Sequence, residues 1–274
     1  TNGMQFVVIS TKYRNSVVRI WSVSNQKGGV GKTTSVVSLG GLLAAQGKRV
    51  LLVDLDPHGS LTSYFGQDPD GLERSLYHLF FEKRWRNVDY IRETLQPTSM
   101  DNVSLLPATT SLATLERQVS GQDGMGLVLA RSLAQLWDDY DYAILDTPPI
   151  LGVLLVNALA ACQQLVIPTQ TEFLALKGLE RMVHTLKMVM TSQKRQLPYC
   201  IVPTLFDRRT SASLTSLKEM RRTYKESLWD EAIPVDTRLR DASFKGVFPH
   251  QLDPESRGVR AYKHLLASLD REEP

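Results

Sequence analysis

One run of eight residues, Lys27-Gly28-Gly29-Val30-Gly31-Lys32-Thr33-Thr34, narrows the folds open to this chain more than any other feature. It follows an apolar stretch over residues 17–23 and opens a helical one over 35–45. A strand, a glycine turn and a helix N-terminus in that order make a phosphate cradle. Glycines let backbone N–H groups close around an anion, and the helix dipole favours negative charge at that point. Lys32 is placed to reach β- and γ-phosphates, and the Thr33 hydroxyl to meet Mg²⁺. The run departs from the ordinary pattern by carrying Gln26 where glycine is usual and by adding a second lysine, Lys27. A lysine at the mouth of the loop points away from its own phosphates, and becomes useful if it crosses to a nucleotide held by another copy of the chain.

The rest of the chain alternates between two periodicities. Continuous Val/Ile/Leu runs at 17–23, 49–53, 103–106, 142–145, 164–168 and 199–205 read as strands buried on both faces. Helical patterns at 34–46, 127–137, 153–162 and 176–192 lie between them, and residues 66–100 read as two or three short helices. This βαβ repetition predicts an α/β fold with a doubly wound, mostly parallel sheet flanked by helices. Residues 17–274 are expected to form a single domain. Residues 1–16 are expected to be an N-terminal extension, with Thr1-Asn2-Gly3 ahead of Met4 an expression remnant.

Composition excludes several classes. No apolar run approaches the roughly 20 residues of a membrane span. No signal-peptide pattern opens the chain, so the cytoplasm is the expected compartment. The two cysteines, Cys162 and Cys200, sit in apolar surroundings and read as buried thiols, and none of the five histidines pairs with them at metal-ligand spacing. A net charge of +3 is too small to argue for nucleic acid by itself.

Chemistry-bearing carboxylates fall at the ends of predicted strands. Asp54 and Asp56 leave the second strand one residue apart. One can serve the metal's shell and the other can orient an attacking water. Asp146 ends the 142–145 run, where a P-loop protein places its outer-sphere Mg²⁺ partner. Thr33 and Asp146 are candidate metal ligands and Lys27 and Lys32 candidate phosphate contacts, while Asp54 and Asp56 divide the metal's shell and the attacking water between them. Further along, residues 213–228 read as an amphipathic helix with Leu214, Leu217, Tyr224 and Leu228 inward. Lys218, Arg221, Arg222 and Lys225 then share the opposite face, a stripe suited to sequence-independent contact with DNA phosphates. Arg257 belongs to a second basic group with Arg260 and Lys263. A solvated helix face, partly neutralised by Glu219 and Glu226, is the competing reading.

These residues resemble the ParA/MinD group of ATPases with a deviant Walker A motif, and the likeness to the ParA branch covers nearly the whole chain. The matching stretches are 25–34, 53–59, 143–149, 157–160, 167–179, 203–207 with Arg209-Thr210, Ile233-Pro234 and 253–258. The resemblance implies ATP and Mg²⁺ as cofactors. It implies Lys27 contacting the partner subunit's phosphates, Asp56 needed for hydrolysis, and Asp146 as the Walker B aspartate. It also implies an adenine site bordered by Pro203, Thr204, Leu205 and Pro234. Members form ATP-sandwich homodimers that bind non-specific DNA and release it on hydrolysis. His58, in place of a usual glutamine, together with Gly152-Val153-Leu154 and Leu174-Ala175-Leu176-Lys177, looks closest to the ParC-type branch. That branch implies positioning of chemotaxis arrays at the cell pole, with a ParP-type adaptor and the array as partners, and a nucleoid-associated or polar location. Chromosome or plasmid partition is the alternative, followed by a small-molecule ATP-dependent enzyme on the same scaffold. A MinD-like membrane cycle is not expected, because the C-terminus is not an amphipathic basic helix.

Overall fold

The computed structural model describes residues 18–119 and 124–271; the expected extension over residues 1–16 and the first residue of the first predicted strand, Val17, lie outside them. Seven strands form one sheet: β1 (Arg19–Val23), β2 (Val50–Asp54), β3 (Gln96–Pro97), β4 (Val103–Leu106), β5 (Tyr142–Asp146), β6 (Gln164–Gln170) and β7 (Tyr199–Thr204). Their order is β3-β4-β2-β5-β1-β6-β7. All neighbours run parallel except β3, which pairs antiparallel with β4.

Helices α1 (Lys32–Ala45), α2 (Ser60–Tyr64), α3 (Leu76–Phe81), α4 (Val88–Thr94), α5 (Leu112–Val119) and α6 (Val128–Leu133) fall in the first half. The second half holds α7 (Val153–Ala161), α8 (Phe173–Gln193), α9 (Ser211–Thr223), α10 (Thr237–Lys245), α11 (Pro249–Leu252) and α12 (Arg257–Arg271). The sheet is covered on both sides. Ile20, Leu51, Val53, Ala143 and Leu145 pack under α3 and α5–α8, while Trp21, Val23, Leu52, Ile144 and Val202 pack under α1 and α12. Alternate residues of each central strand thus feed opposite cores, which is why the strands read as unbroken apolar runs rather than alternating ones.

Differences from the sequence reading are local. The predicted helix over 127–137 is a 3₁₀ turn (Met125–Leu127), the short α6, and a second 3₁₀ turn (Ala134–Leu136). The predicted helix over 213–228 stops at Thr223. Leu228 instead bridges to Ile201 beside β7, and Leu214 is half exposed rather than buried. The strand β3 has no counterpart among the predicted elements.

Candidate nucleotide site

The register places the carboxyl ends of three strands together. Asp54 of β2 lies opposite Asp146 of β5, and Asp146 lies opposite Val23 of β1, where the glycine loop begins. Crevices of this kind, beyond the carboxyl ends of parallel strands, are where such sheets bind ligands.

Gly29 and Gly31 hold φ of 73° and 90°, a left-handed conformation that side chains disfavour. A Cβ built on either, or on Gly28, meets no atom within 4 Å, so the loop borders open space. Gly31 caps α1 without a side-chain hydrogen bond to the first turn. The free N–H groups of that turn and the positive end of the helix dipole therefore face the same space.

The loop is pinned from every side. Asn25 Nδ2 donates to the Pro168 carbonyl at 2.8 Å, and Gln26 Nε2 donates to Thr185 Oγ1 at 2.7 Å. Thr204 Oγ1 donates to the Val30 carbonyl at 2.8 Å. Ser35 Oγ donates to the Gly31 carbonyl at 2.8 Å and pairs with the buried Tyr262 hydroxyl at 2.9 Å. These bonds explain how an exposed glycine turn keeps one shape.

The two lysines separate. Lys32 is buried at the start of α1, whereas Lys27 is half-buried, turned toward α8, and ion-paired with Glu172. A Cβ on Gly178 would sit 3.1 Å from Lys27 Cβ, so α8 carries glycine where the lysine stem crosses it. Phe173 and Leu174, immediately after Glu172 at the start of α8, are exposed apolar side chains, as are Ile150 and Leu151 after β5.

Thr33 Oγ1 donates to Asp146 Oδ2 at 2.6 Å, while the buried Asp146 Oδ1 has no hydrogen-bond partner among the described residues. Burial, then the nearby Asp54, push the Asp146 carboxyl up to about 8, against the pull of Thr33 and Lys32. Two buried carboxylates facing one lysine and an orphaned oxygen form a site short of positive charge. That donor set, beside an empty-sided anion cradle, fits Mg²⁺ carried by a nucleotide's phosphates.

Asp54, expected among the metal ligands, is engaged elsewhere. Its Oδ2 accepts from Thr62 N at 2.8 Å and Thr62 Oγ1 at 2.7 Å, and its Oδ1 accepts from Asp56 N at 3.1 Å. Burial raises its pKa to about 6, and the Thr62 bonds hold it from rising further. Asp54 thus ties α2 and the Asp56 turn to the end of β2, with Oδ2 taken up by Thr62 and Oδ1 accepting a single backbone bond. Nothing in the sequence marks Thr62, because seven intervening residues and a turn hide the contact. Asp56 itself is partly exposed and sits in a turn closed by Gly59 N donating to its carbonyl at 2.8 Å.

A cleft of about 580 Å³ beyond the end of β7 is lined by Phe206, Asp207, Arg208, Arg209, Pro234, Val235, Thr237 and Arg257. Of the expected adenine residues only Pro234 lines it. Pro203 and Thr204 are buried within β7, with the Thr204 hydroxyl engaged by Val30, and Leu205 turns the chain with φ of 51°. The residues just beyond them form the wall instead.

The basic residues do not form one face. Lys218, Arg221 and Arg222 are exposed on α9, but Lys225 lies past its end. Arg222 is ion-paired with Glu219 at 2.6 Å, and Arg221 donates to the Asp230 carbonyl at 3.0 Å. Arg257 lies apart, on the rim of the cleft. Both cysteines are buried as expected, and burial pushes the Cys162 thiol up to about 12. No helix among the described residues is long and apolar enough to cross a membrane.

Fold and site together define a P-loop nucleotide-binding protein. The family described as AAA domain matches residues 18–199. The chain is 36% identical to the sporulation initiation inhibitor protein Soj of Bacillus subtilis over 92% of its own length and 98% of that protein's. It is 36% identical to the chromosome partitioning protein ParA of Myxococcus xanthus, covering 93% and 88% of the two chains. Among solved structures, cobyrinic acid a,c-diamide synthase from Mycobacterium smegmatis, with bound ATP analog and magnesium, superposes with a TM-score of 0.79 at 35% identity, over 93% of this chain and 95% of that one. A putative plasmid partition protein from Borrelia burgdorferi bound to AMPPNP gives 0.77 at 27% identity, over 93% and 100%. The chain belongs to the ParA/MinD family of P-loop ATPases, with Soj and ParA among its relatives. Its cofactors are ATP and Mg²⁺.

Proposed function

We propose that this protein is a partition ATPase: a nucleotide switch whose ATP-bound form pairs with a second copy, holds DNA without regard to sequence, and lets go on hydrolysis. The observation that carries the reading is the position of Lys27. It lies at the mouth of its own loop, paired with Glu172, which the exposed Phe173 and Leu174 follow directly. A nucleotide site with one lysine inside and one outside, the outer one paired next to exposed apolar side chains, is half of a two-copy arrangement.

The roles follow from placement. The loop N–H groups and Lys32 bind and neutralise phosphate oxygens, and Thr33 with Asp146 orient the metal's shell. Bound Mg²⁺ supplies charge neutralisation at the transferring phosphoryl group. Asp56 orients the attacking water, and the partner's copy of the outer lysine completes the charge. Lys218, Arg221 and Arg257 are the exposed cations offered to DNA.

The expectation of chemotaxis-array positioning through a ParP-type adaptor rests on His58 and the two neighbouring stretches alone. Several relatives, ParA of Myxococcus xanthus among them, bear partition names, so partition is the reading carried here. The Mycobacterium smegmatis structure bears a synthase's name, which keeps a small-molecule reaction as the alternative. The deciding experiment measures mass by light scattering and binding to random-sequence duplex DNA with ATP, ADP or no nucleotide. Dimerisation and salt-sensitive DNA binding only with ATP, both absent in Lys27→Ala, are expected. An ATP-bound monomer that ignores DNA would overturn the switch and favour the synthase reading.

A further inference from the structure

Resting on the assignment of Asp56 to the attacking water, we propose that His58 is a positioning residue for hydrolysis: its ring holds one oxygen of the Asp56 carboxylate so that the other is aimed at the water.

The geometry divides the two oxygens. Asp56 Oδ1 accepts from His58 N at 3.0 Å and sits 2.8 Å from His58 Nδ1. Both contacts come from one residue, across Pro57, whose ring fixes the backbone of the turn between them. Asp56 Oδ2 has no hydrogen-bond partner among the described residues. The turn is closed by Gly59 N on the Asp56 carbonyl, and Asp56 N is held by Asp54. The backbone bonds therefore fix where the aspartate stands, and the His58 ring fixes how its carboxylate is rotated.

A packing role does not account for this histidine. Its side chain is 77% exposed while that of Asp56 is 13% exposed, so the ring lies over the carboxylate from the solvent side and buries little of its own surface. An exposed side-chain pair of this kind adds almost nothing to folding. Its Nδ1 contact matters only if the orientation of that carboxylate matters. The contact also sets the tautomer: in the neutral ring the proton sits on Nδ1, where it donates to Oδ1, leaving Nε2 to solvent.

The required feature is a donor at the Nδ1 position, which asparagine reproduces through Nδ2 and leucine does not. ATP turnover is measured for wild type, His58→Leu, His58→Asn and Asp56→Asn, with circular dichroism confirming that each is folded. Losing a hydrogen bond to a charged group corresponds to about a 10-fold effect. His58→Leu is therefore expected to lower kcat about 10-fold with KM for ATP unchanged, and His58→Asn to recover most of the loss, while Asp56→Asn is inactive. Unchanged kcat in His58→Leu, or equal losses in the leucine and asparagine variants, overturns the positioning role while an inactive Asp56→Asn leaves the Asp56 assignment standing. Wild-type turnover in Asp56→Asn removes that assignment, and the proposal with it.

Discussion

Thr62 offers a test of how the nucleotide-side turn is held. Its hydroxyl donates to Asp54 Oδ2 at 2.7 Å and accepts from Ala108 N at 2.9 Å, and the side chain is fully buried. Thr62→Val keeps the shape and removes both bonds. A hydrogen bond to a charged group is worth about 1.5–3 kcal/mol, and a buried N–H left unpaired costs about 1–3 kcal/mol. The expected destabilisation is therefore about 3–5 kcal/mol, a large part of the stability of an ordinary domain. Thr62→Ser keeps both bonds and loses one methyl, for about 1 kcal/mol.

Urea unfolding followed by circular dichroism separates the two, provided m is unchanged. A second signature is pH. The Asp54 carboxyl is raised from its unfolded value of 3.8 to about 6 in the folded protein. A raised carboxyl binds its proton more tightly when folded, so ionising it costs stability as pH climbs through that window. The hydroxyl offsets this cost only once Asp54 is charged. The gap between wild type and Thr62→Val should therefore widen from pH 5 to pH 8. Equal losses for valine and serine, or a gap independent of pH, would refute the reasoning.

Three further outcomes are expected. Asp146 is raised to about 8, so without nucleotide or Mg²⁺ stability should fall as pH rises from about 4 to 8. Asp146→Asn should melt higher than wild type at pH 8, lose that advantage at pH 5, and bind Mg²⁺–ATP more weakly; parallel melting curves at the two pH values would contradict it. Glu172→Gln breaks the ion pair on Lys27 and should lower the ATP concentration at which dimers appear in light scattering, an effect that is absent if Glu172 merely decorates α8. Gly41→Ala sets a Cβ 2.6 Å from the Phe248 ring; despite alanine's better helix propensity it should destabilise by about 1–3 kcal/mol in the same urea assay.

What the sequence disclosed and what it hid have physical reasons. The glycine loop, Lys32, Thr33 and Asp146 were legible because a phosphate cradle needs a fixed residue type at each place along one continuous stretch. The buried strands were legible because both of their faces are apolar. Thr62 and Glu172 were not, since each acts on a residue brought close only by a turn or by the sheet: Thr62 on Asp54, Glu172 on Lys27. The end of α9 misled because Leu228 continues the helical period although it pairs with Ile201 instead. The strand β3 is two residues long and includes Pro97, so no periodicity could announce it. Of the residues expected to border adenine, Pro234 lines the cleft, whereas Pro203 and Thr204 are buried in β7 and the lining starts at Phe206, where the chain has left the strand.

Both borders of the sheet are closed to strand addition. On one side β3 runs against the others and brings a proline, which has no N–H to offer. On the other, the segment around Leu228 takes the outward groups of β7: Ile201 N donates to the Ser227 carbonyl at 2.7 Å, and Trp229 N to the Ile201 carbonyl at 2.9 Å. An open edge would invite edge-to-edge association of copies that no nucleotide could dissolve. With neither border able to recruit a neighbour, self-association is left to the loops at the carboxyl ends of the strands. In the proposed switch, contacts between copies at those loops stay within reach of the phosphates whose loss undoes them.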